Sequence, residues 1–325
     1  MHNFAPTYTH DSVFNAALQQ IIDEGEYAID RTGTGTISLF GLQMVFPLWK
    51  AFPAITSKKL AWKSVIGELL WFLEGSEDNE RLAKITYGDA TKRTIWTPNA
   101  TEEGNEGSPN VWLTNPYRQY VGHLGRVYGV QWRRWQSIVI RSANIEDIID
   151  HDDNSQTYLN AKVHVSKIDQ IAMLVDKIKN NPKDRRMILT AYNVGELDQM
   201  ALPPCHMFAQ FHVNLQTNRL SCQVYMRSND MFLGAPFNIA SYAALTHMLA
   251  QVTGREVGTL TMTIGDAHIY SDHVEQVKEQ LSRTPFNSPQ LELNKAVQSI
   301  DDFKMDDFKL VGYEHHEAIK AKMSV

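Results

Sequence analysis

The sequence predicts an α+β fold with its strands concentrated in the middle and second half of the chain. Three observations predict it. Apolar residues recur at three- and four-residue spacing near the N-terminus and again around 166–182, 238–254 and 271–283, the period of helices packed on one face. Between them lie runs rich in Val, Ile, Thr, Tyr and Phe that alternate with polar residues, the period of strands. No internal repeat and no low-complexity linker divides the 325 residues.

Each element has its own signal. DSVFNAALQQIIDEG at 11–25 reads as an amphipathic helix with an Asp or Ser cap and a stop at Gly25. DRTGTGT at 30–36 is a glycine-rich turn, and TISLFGLQMVFPL after it is a strand or hairpin. Leu60, Ile66, Leu69, Leu70 and Leu73 place a helix across 58–74. Two polar stretches, 97–110 and the acidic 145–160, read as surface excursions. SKIDQIAMLVDKIKNNP is a helix ending before Pro182. Then come strands RMILTAY, HMFAQFHV and LSCQVYMRS, the helix NIASYAALTHMLAQVTG, the strand TLTMTIGDAHIY and the helix SDHVEQVKEQLSR.

Bulk composition narrows the function. A net charge of -6 and a pI near 6.1 disfavour a protein that coats nucleic acid through its phosphates, while a small anionic substrate needs only a local group of arginines. Two cysteines make no disulfide framework, and no CxxC, HExxH, GxxxxGK[ST] or strand-linked GxGxxG occurs, so no metal site is expected. The start lacks a basic region followed by an apolar run, and VIGELLWFLEG is too short to span a bilayer. The expectation is a soluble, cytoplasmic protein.

Within ALPPCHMFAQFH, Cys205 follows two prolines and precedes His206 and a strand. Lone cysteines are often buried fillers, yet rigid backbone on one side and a strand on the other suit a held nucleophile. Cys222 alternates inside LSCQVYM and reads as core. Arg31, the adjacent Arg185 and Arg186, and Arg227 beside Ser228 are phosphate-binding types, although each alone reads as an ordinary surface arginine. Glu68 sits among Leu69, Leu70, Trp71 and Phe72, where burial would raise its pKa toward acid–base work unless it faces solvent. Asn238 at a helix start is either an N-cap or an amide that reads a base edge. His268 and Tyr270 share one face of a strand end and could hold a sugar hydroxyl.

Together these stretches resemble the thymidylate synthase family. The resemblance rests on DRTGTGT, TSKKLAWKSVIGELLWFLEG, RVYGVQW, DRRMIL, NVGELDQMALPPCH, RSNDMFLGAPFNIASYAALTHMLAQ and GDAHIYSDHVEQ, in order, and on the tail IKAKMSV. It implies one domain over 1–325, a large mixed sheet packed with helices and against its counterpart in a homodimer, with surface insertions near 97–124 and 138–164. It also implies that Cys205 attacks C6 of dUMP and that 5,10-methylenetetrahydrofolate serves as carbon donor and reductant, giving dTMP. Arg31, Arg227 and Ser228 are then expected at the phosphate, joined by Arg185 and Arg186 of the neighbouring subunit. Glu68 manages protons, Tyr128 lies near the cysteine, Asn238 reads uracil with His206 in support, and His268 with Tyr270 holds the 3′-hydroxyl. Nearby positive charge would lower the Cys205 pKa. Ile95, Trp96, Leu202, Asp230, Leu233, Gly234 and Phe237 are expected to line the folate pocket, with Asp230 also catalytic. Lys58 meets the folate's glutamate tail, and the segment ending at Val325 closes over the ligands.

Relatives within the family end the reaction with water and hydroxymethylate dUMP or dCMP. Asn238 argues against dCMP: the version acting on dCMP has an aspartate at this position, whose carboxylate accepts from cytosine's amino group, while an amide suits uracil. Met226, Gly67, Ala209, His212 and Tyr192 depart from the family's common residues, so a dUMP hydroxymethylase stays as the alternative. An inactive nucleotide-binding relative is a further one, disfavoured by the retention of Cys205, Glu68 and Asn238.

Overall fold

Six strands build a mixed sheet in the order Glu26–Ala28, Thr36–Pro47, Glu256–Tyr270, Arg219–Asp230, His206–Asn214, Ile188–Thr190. The structure, a computed structural model, describes residues 8–29, 33–105, 108–141, 148–150, 156–158 and 162–322. All neighbours in this sheet pair antiparallel except Arg219–Asp230 with Glu256–Tyr270, which run parallel. A parallel pair needs a crossover, and the helix Gly234–Val252 supplies it. Alternation along the strands sends Leu42, Met44, Phe46, Phe211, Val213, Val224, Met226, Leu260, Met262 and Ile264 to one buried face. On the opposite face, Gln43, Thr263, Tyr225 and Phe208 form one cross-strand row, and Val45, Thr261, Gln223, Gln210 and Ile188 form the next. Val45, Phe208 and Ile188 remain substantially exposed there.

Helices cover the buried face. Gly234–Val252 is apolar nearly all round, as a helix sandwiched in a core must be. The helix Trp62–Glu74 buries most of its second half and ends at Gly75 in the left-handed conformation (φ 65°), which only glycine adopts without strain. The short helix Tyr128–Arg134 packs against it so closely that a Cβ on Gly129 would lie 2.3 Å from the Phe72 carbonyl oxygen. Gly67 is accounted for in the same way: a Cβ there would lie 2.1 Å from Thr86 Oγ1. No larger residue fits, so this departure from the family pattern is matched by its neighbour.

Several boundaries differ from the sequence reading. The first helix spans Asp11–Glu24, but no side chain caps it. Asp11 is instead fully buried and accepts the backbone N–H groups of Thr56 and Ser57, tying the helix to a distant loop. The helix expected over 58–74 starts at Trp62, the residues before it being bends and irregular backbone. Ser166 to Ile168 belong to a strand, and the following helix is Gln170–Asn180, capped by Asp169. The polar stretch at 145–160 is flanked by a two-stranded ribbon, Trp135–Arg141 against Lys162–Ile168, which the sequence reading did not anticipate. The stretch near 97–124 contains a buried anchor, Trp112, whose Nε1 donates to the His123 carbonyl at 2.6 Å.

Gly129→Ala is expected to destabilise the protein by about 1–3 kcal/mol, because the contact is with backbone and cannot be relieved by a rotamer change. Denaturant unfolding of the variant checks it, and unchanged stability would contradict the close packing.

Candidate active site

Cys205 lies at the end of an irregular segment, just before the strand His206–Asn214, and is partly buried. Two elements fix it. Its backbone N–H donates to the Tyr128 hydroxyl at 2.8 Å. On the other side the Arg227 backbone N–H donates to the Cys205 carbonyl at 2.8 Å. The Arg227 guanidinium donates to the carbonyls of Pro204 and Pro203, both at 2.9 Å. The two prolines thus do more than stiffen the chain. Their carbonyls, which have no helix or strand partner of their own, orient the arginine beside the thiol.

Tyr128 is the hub. Its ring stacks on His206 at 3.9 Å between centroids and meets Trp96 edge-on at 5.7 Å. Trp96 Nε1 donates to Glu68 Oε1 at 2.7 Å. His206 Nδ1 shares a 2.8 Å hydrogen bond with the hydroxyl of Tyr242, a residue the sequence reading missed. Tyr242 follows Asn238 by four positions on one helix, so helical spacing was the signal that could have found it. Phe72 and Trp132 close the other sides of the His206 ring.

Burial sets the protonation states. It raises the Glu68 pKa to about 7, against a smaller lowering by the Trp96 bond. It lowers the His206 pKa to about 3, so this histidine is neutral and serves to position its neighbours. It also pushes the Cys205 thiol up, and the Arg227 charge and the Tyr128 hydroxyl offset this only in part. The expectation that positive charge leaves the thiol with a lowered pKa is therefore corrected: Arg227 acts in that direction, but desolvation wins.

The remaining predicted residues fall into groups. Ser228 follows Arg227 on the same strand. Asn238 is not an N-cap; it lies inside the helix, whose cap position is Leu233. No described residue hydrogen-bonds its amide. His268 and Tyr270 rings meet edge-on at 5.2 Å. His268 Nδ1 lies 3.4 Å from Asp266 Oδ1, an electrostatic contact more than an aligned hydrogen bond. Burial lowers the His268 pKa, but Asp266 and Asp230 outweigh it and the net direction is up.

Asp230 Oδ1 accepts the N–H groups of Phe232 and Leu233, shaping the turn before Gly234. A Cβ on Gly234 would sit 3.1 Å from Asn229 Oδ1. Ile95 is half exposed, while Leu202, Leu233 and Phe237 are partly buried against the core. Lys58 is nearly buried: its ammonium donates to the Phe232 carbonyl and lies over the Phe232 ring. Burial lowers its pKa to about 7, with Asp230 opposing and Arg283 adding to the fall. Arg185 and Arg186 are exposed at the far edge of the sheet, away from Cys205's partners, and Arg186 pairs with Asp184 at 3.1 Å. Arg31 and Val325 lie outside the described residues. Among the described residues, no group of three or more His, Cys, Asp or Glu could hold a metal ion, and no helix is long and apolar enough to cross a membrane.

Because the Glu68 pKa is raised from an unfolded value near 4.5 to about 7, the folded state binds the extra proton between those values. Stability therefore falls as pH rises from about 4.5 to about 7, by on the order of 3 kcal/mol, and levels off above. Glu68→Gln is expected to remove that slope in denaturant titrations across this range; a variant with the parent's slope would show that Glu68 is not the desolvated group.

The sequence profile described as "Thymidylate synthase" matches residues 12–325. The thymidylate synthase of Corynebacterium aurimucosum is 45% identical over 315 residues, covering 97% of this chain and 98% of the relative. The chain belongs to the thymidylate synthase family, methyltransferases that act on dUMP with methylenetetrahydrofolate as co-substrate.

Proposed function

We propose that this family member methylates dUMP reductively to dTMP, with Cys205 as the nucleophile that bonds to C6 of the pyrimidine. The observation that carries the reading is the joining of Cys205, Tyr128, Trp96 and Glu68 by direct contacts, with Arg227 aimed beside the thiol. A passive binder has no need of a constrained thiol beside a carboxyl that titrates near neutrality.

Arg227 has part of its guanidinium committed to Pro203 and Pro204, so its direction is set before ligand arrives. Its remaining N–H groups and the Ser228 hydroxyl are the donors a phosphate monoester requires, with Arg31 added to them. Thiolate formation is resisted by burial in the free protein. Once the pyrimidine is seated, Arg227 and the Tyr128 hydroxyl favour the thiolate at the moment it attacks. The Asn238 amide offers one donor and one acceptor, complementary to uracil O4 and N3–H. His268 and Tyr270 take the 3′-hydroxyl. Glu68, with a pKa about 7, exchanges protons with the base through water at neutral pH.

The family resemblance assigns Ile95, Trp96, Leu202, Leu233, Gly234 and Phe237 to the flat heteroaromatic part of the folate; Ile95 is half exposed, and Leu202, Leu233 and Phe237 are partly buried apolar side chains of the kind such a group packs on. When bound, 5,10-methylenetetrahydrofolate supplies the one-carbon unit and the hydride. Asp230 holds the turn that presents Leu233 and Gly234. The Lys58 ammonium donates to the Phe232 carbonyl and keeps two further N–H groups for a glutamate tail, and the tail ending at Val325 would shut out water.

The exposed sheet face, with Val45, Phe208 and Ile188, supports a homodimer in which Arg185 and Arg186 complete the partner's phosphate site. One domain over 1–325, with insertions near 97–124 and 138–164, belongs to the same reading.

Mass spectrometry of the nucleotide formed from dUMP and methylenetetrahydrofolate tests the reaction, with absorbance at about 340 nm reporting dihydrofolate. A dTMP mass with rising absorbance is expected, and Cys205→Ser is expected to abolish it. A product heavier by one oxygen with flat absorbance would mean hydroxymethylation instead. Mixing inactive Cys205→Ser with inactive Arg185→Glu/Arg186→Glu is expected to restore activity, because a mixed dimer rebuilds one complete site. No recovery on mixing, with mixed dimers shown to form, would place the arginines in their own subunit's site.

A further inference from the structure

The segment that delivers Cys205 is fastened at both ends to the stretch bearing Tyr128. At its near end the Arg126 N–H donates to the Gln199 carbonyl at 2.8 Å, and the Ala201 N–H donates to the Leu124 carbonyl at 3.0 Å. Gly125 between them has φ 73°, and a Cβ on it would lie 2.1 Å from the Gln199 oxygen. At its far end the Cys205 N–H reaches the Tyr128 hydroxyl.

One charged pair sits in this junction. Arg126 Nε donates to Glu196 Oε2 at 2.6 Å, and the two side chains are 18% and 10% exposed. The same carboxylate oxygen accepts from Gln131 Nε2 at 2.7 Å, and Gln131 Nε2 also donates to the Arg126 carbonyl at 2.9 Å. Arg126 Nη2 donates to the Arg134 carbonyl at 2.8 Å, the last residue of the helix that begins with Tyr128. Glu196 itself leaves helical geometry (φ -131°, ψ 15°) within the turn Val194–Gln199. Arg126 therefore engages its N–H, its carbonyl and its guanidinium in one joint between the Tyr128 helix and the approach to Cys205.

We propose that the Arg126–Glu196 ion pair, with Gln131, is a positioning device that holds the Cys205 segment in register with Tyr128. The proposal deepens the reading of Cys205 as nucleophile and rests on it. Neither Arg126 nor Glu196 touches the thiol, so both act through the segment 199–205 and through Tyr128. Losing the pair lets the thiol shift relative to the Tyr128 hydroxyl, and the Arg227 guanidinium, held by the Pro203 and Pro204 carbonyls of the same segment, shifts with it.

The test compares Arg126→Met and Glu196→Gln with the parent enzyme in steady-state kinetics and in the rate of Cys205 alkylation by iodoacetamide. The expected result is a fall in kcat of about 10- to 100-fold, the scale of a small misplacement, with a smaller rise in the KM for dUMP, because Arg227 is tied to the same segment, and with the alkylation rate altered. Tyr128→Phe is expected to cost much less in the Arg126→Met background than in the parent, because both changes release the same segment. Each single change strands a buried charge and risks unfolding, so Arg126→Met/Glu196→Gln together carries the same measurements. Unchanged kcat and alkylation per folded molecule, or fully multiplicative effects of Arg126→Met and Tyr128→Phe, would overturn the proposal. Alkylation reports on the thiol without any nucleotide. An altered alkylation rate in a protein whose parent makes no dTMP would therefore sink the proposed reaction and leave the positioning role intact.

Discussion

The hydrogen bond from the Cys205 amide to the Tyr128 hydroxyl is the joint on which the site depends. The sheet supplies the cysteine and a helix supplies the tyrosine, and nothing covalent sets the distance between those layers. Gly129 lets the tyrosine's helix sit against the Phe72 carbonyl, on the helix that also carries Glu68. Moving any of these three pieces moves the others. Buried Tyr128 needs a partner for its hydroxyl, and the Cys205 amide, lying before its strand begins, needs an acceptor; each meets the other's requirement.

Desolvation acts on three groups of the cluster from one physical cause. It favours the neutral form of every group, raising the cysteine and the glutamic acid and lowering the histidine. The free site is thus held close to uncharged apart from Arg227, whose guanidinium is steadied by proline carbonyls. A thiol kept neutral until a ligand arrives is protected from side reactions, and a carboxyl near 7 is ready to work in either direction.

Much of this was legible in the chain. Long periodic elements such as Gly234–Val252 and Glu256–Tyr270 were visible because burial on one or all faces leaves a strong pattern. Cys205, Glu68, Tyr128 and Arg227 were legible through family motifs. What was hidden depends on distant contacts. Asp11 reads as a helix cap, yet it bonds across 45 positions to Thr56. Gly67 reads as an oddity until Thr86 is seen against it. The sign of the Cys205 shift depends on how much protein surrounds the thiol, and a list of nearby arginines cannot give that. His212 was suspected of altering the site, but it lies on the exposed sheet face, remote in orientation from the buried Ala209 and Met226.

The buried charges near Tyr128 raise a question of energetics. A buried ion pair is a weak source of stability, since removing two charges from water costs about as much as their attraction returns, and apolar replacements often serve as well. Stability alone therefore gives no reason to place Arg126 and Glu196 at the junction of the Tyr128 helix and the cysteine's approach. Geometry does. An apolar contact tolerates sliding, whereas a guanidinium shared between a carboxylate and the Arg134 carbonyl, with Gln131 on the same carboxylate oxygen, permits one register. Under the proposed reaction a thiol, a hydroxyl and an arginine from separate elements meet at one carbon atom, and fixed register is what that chemistry requires.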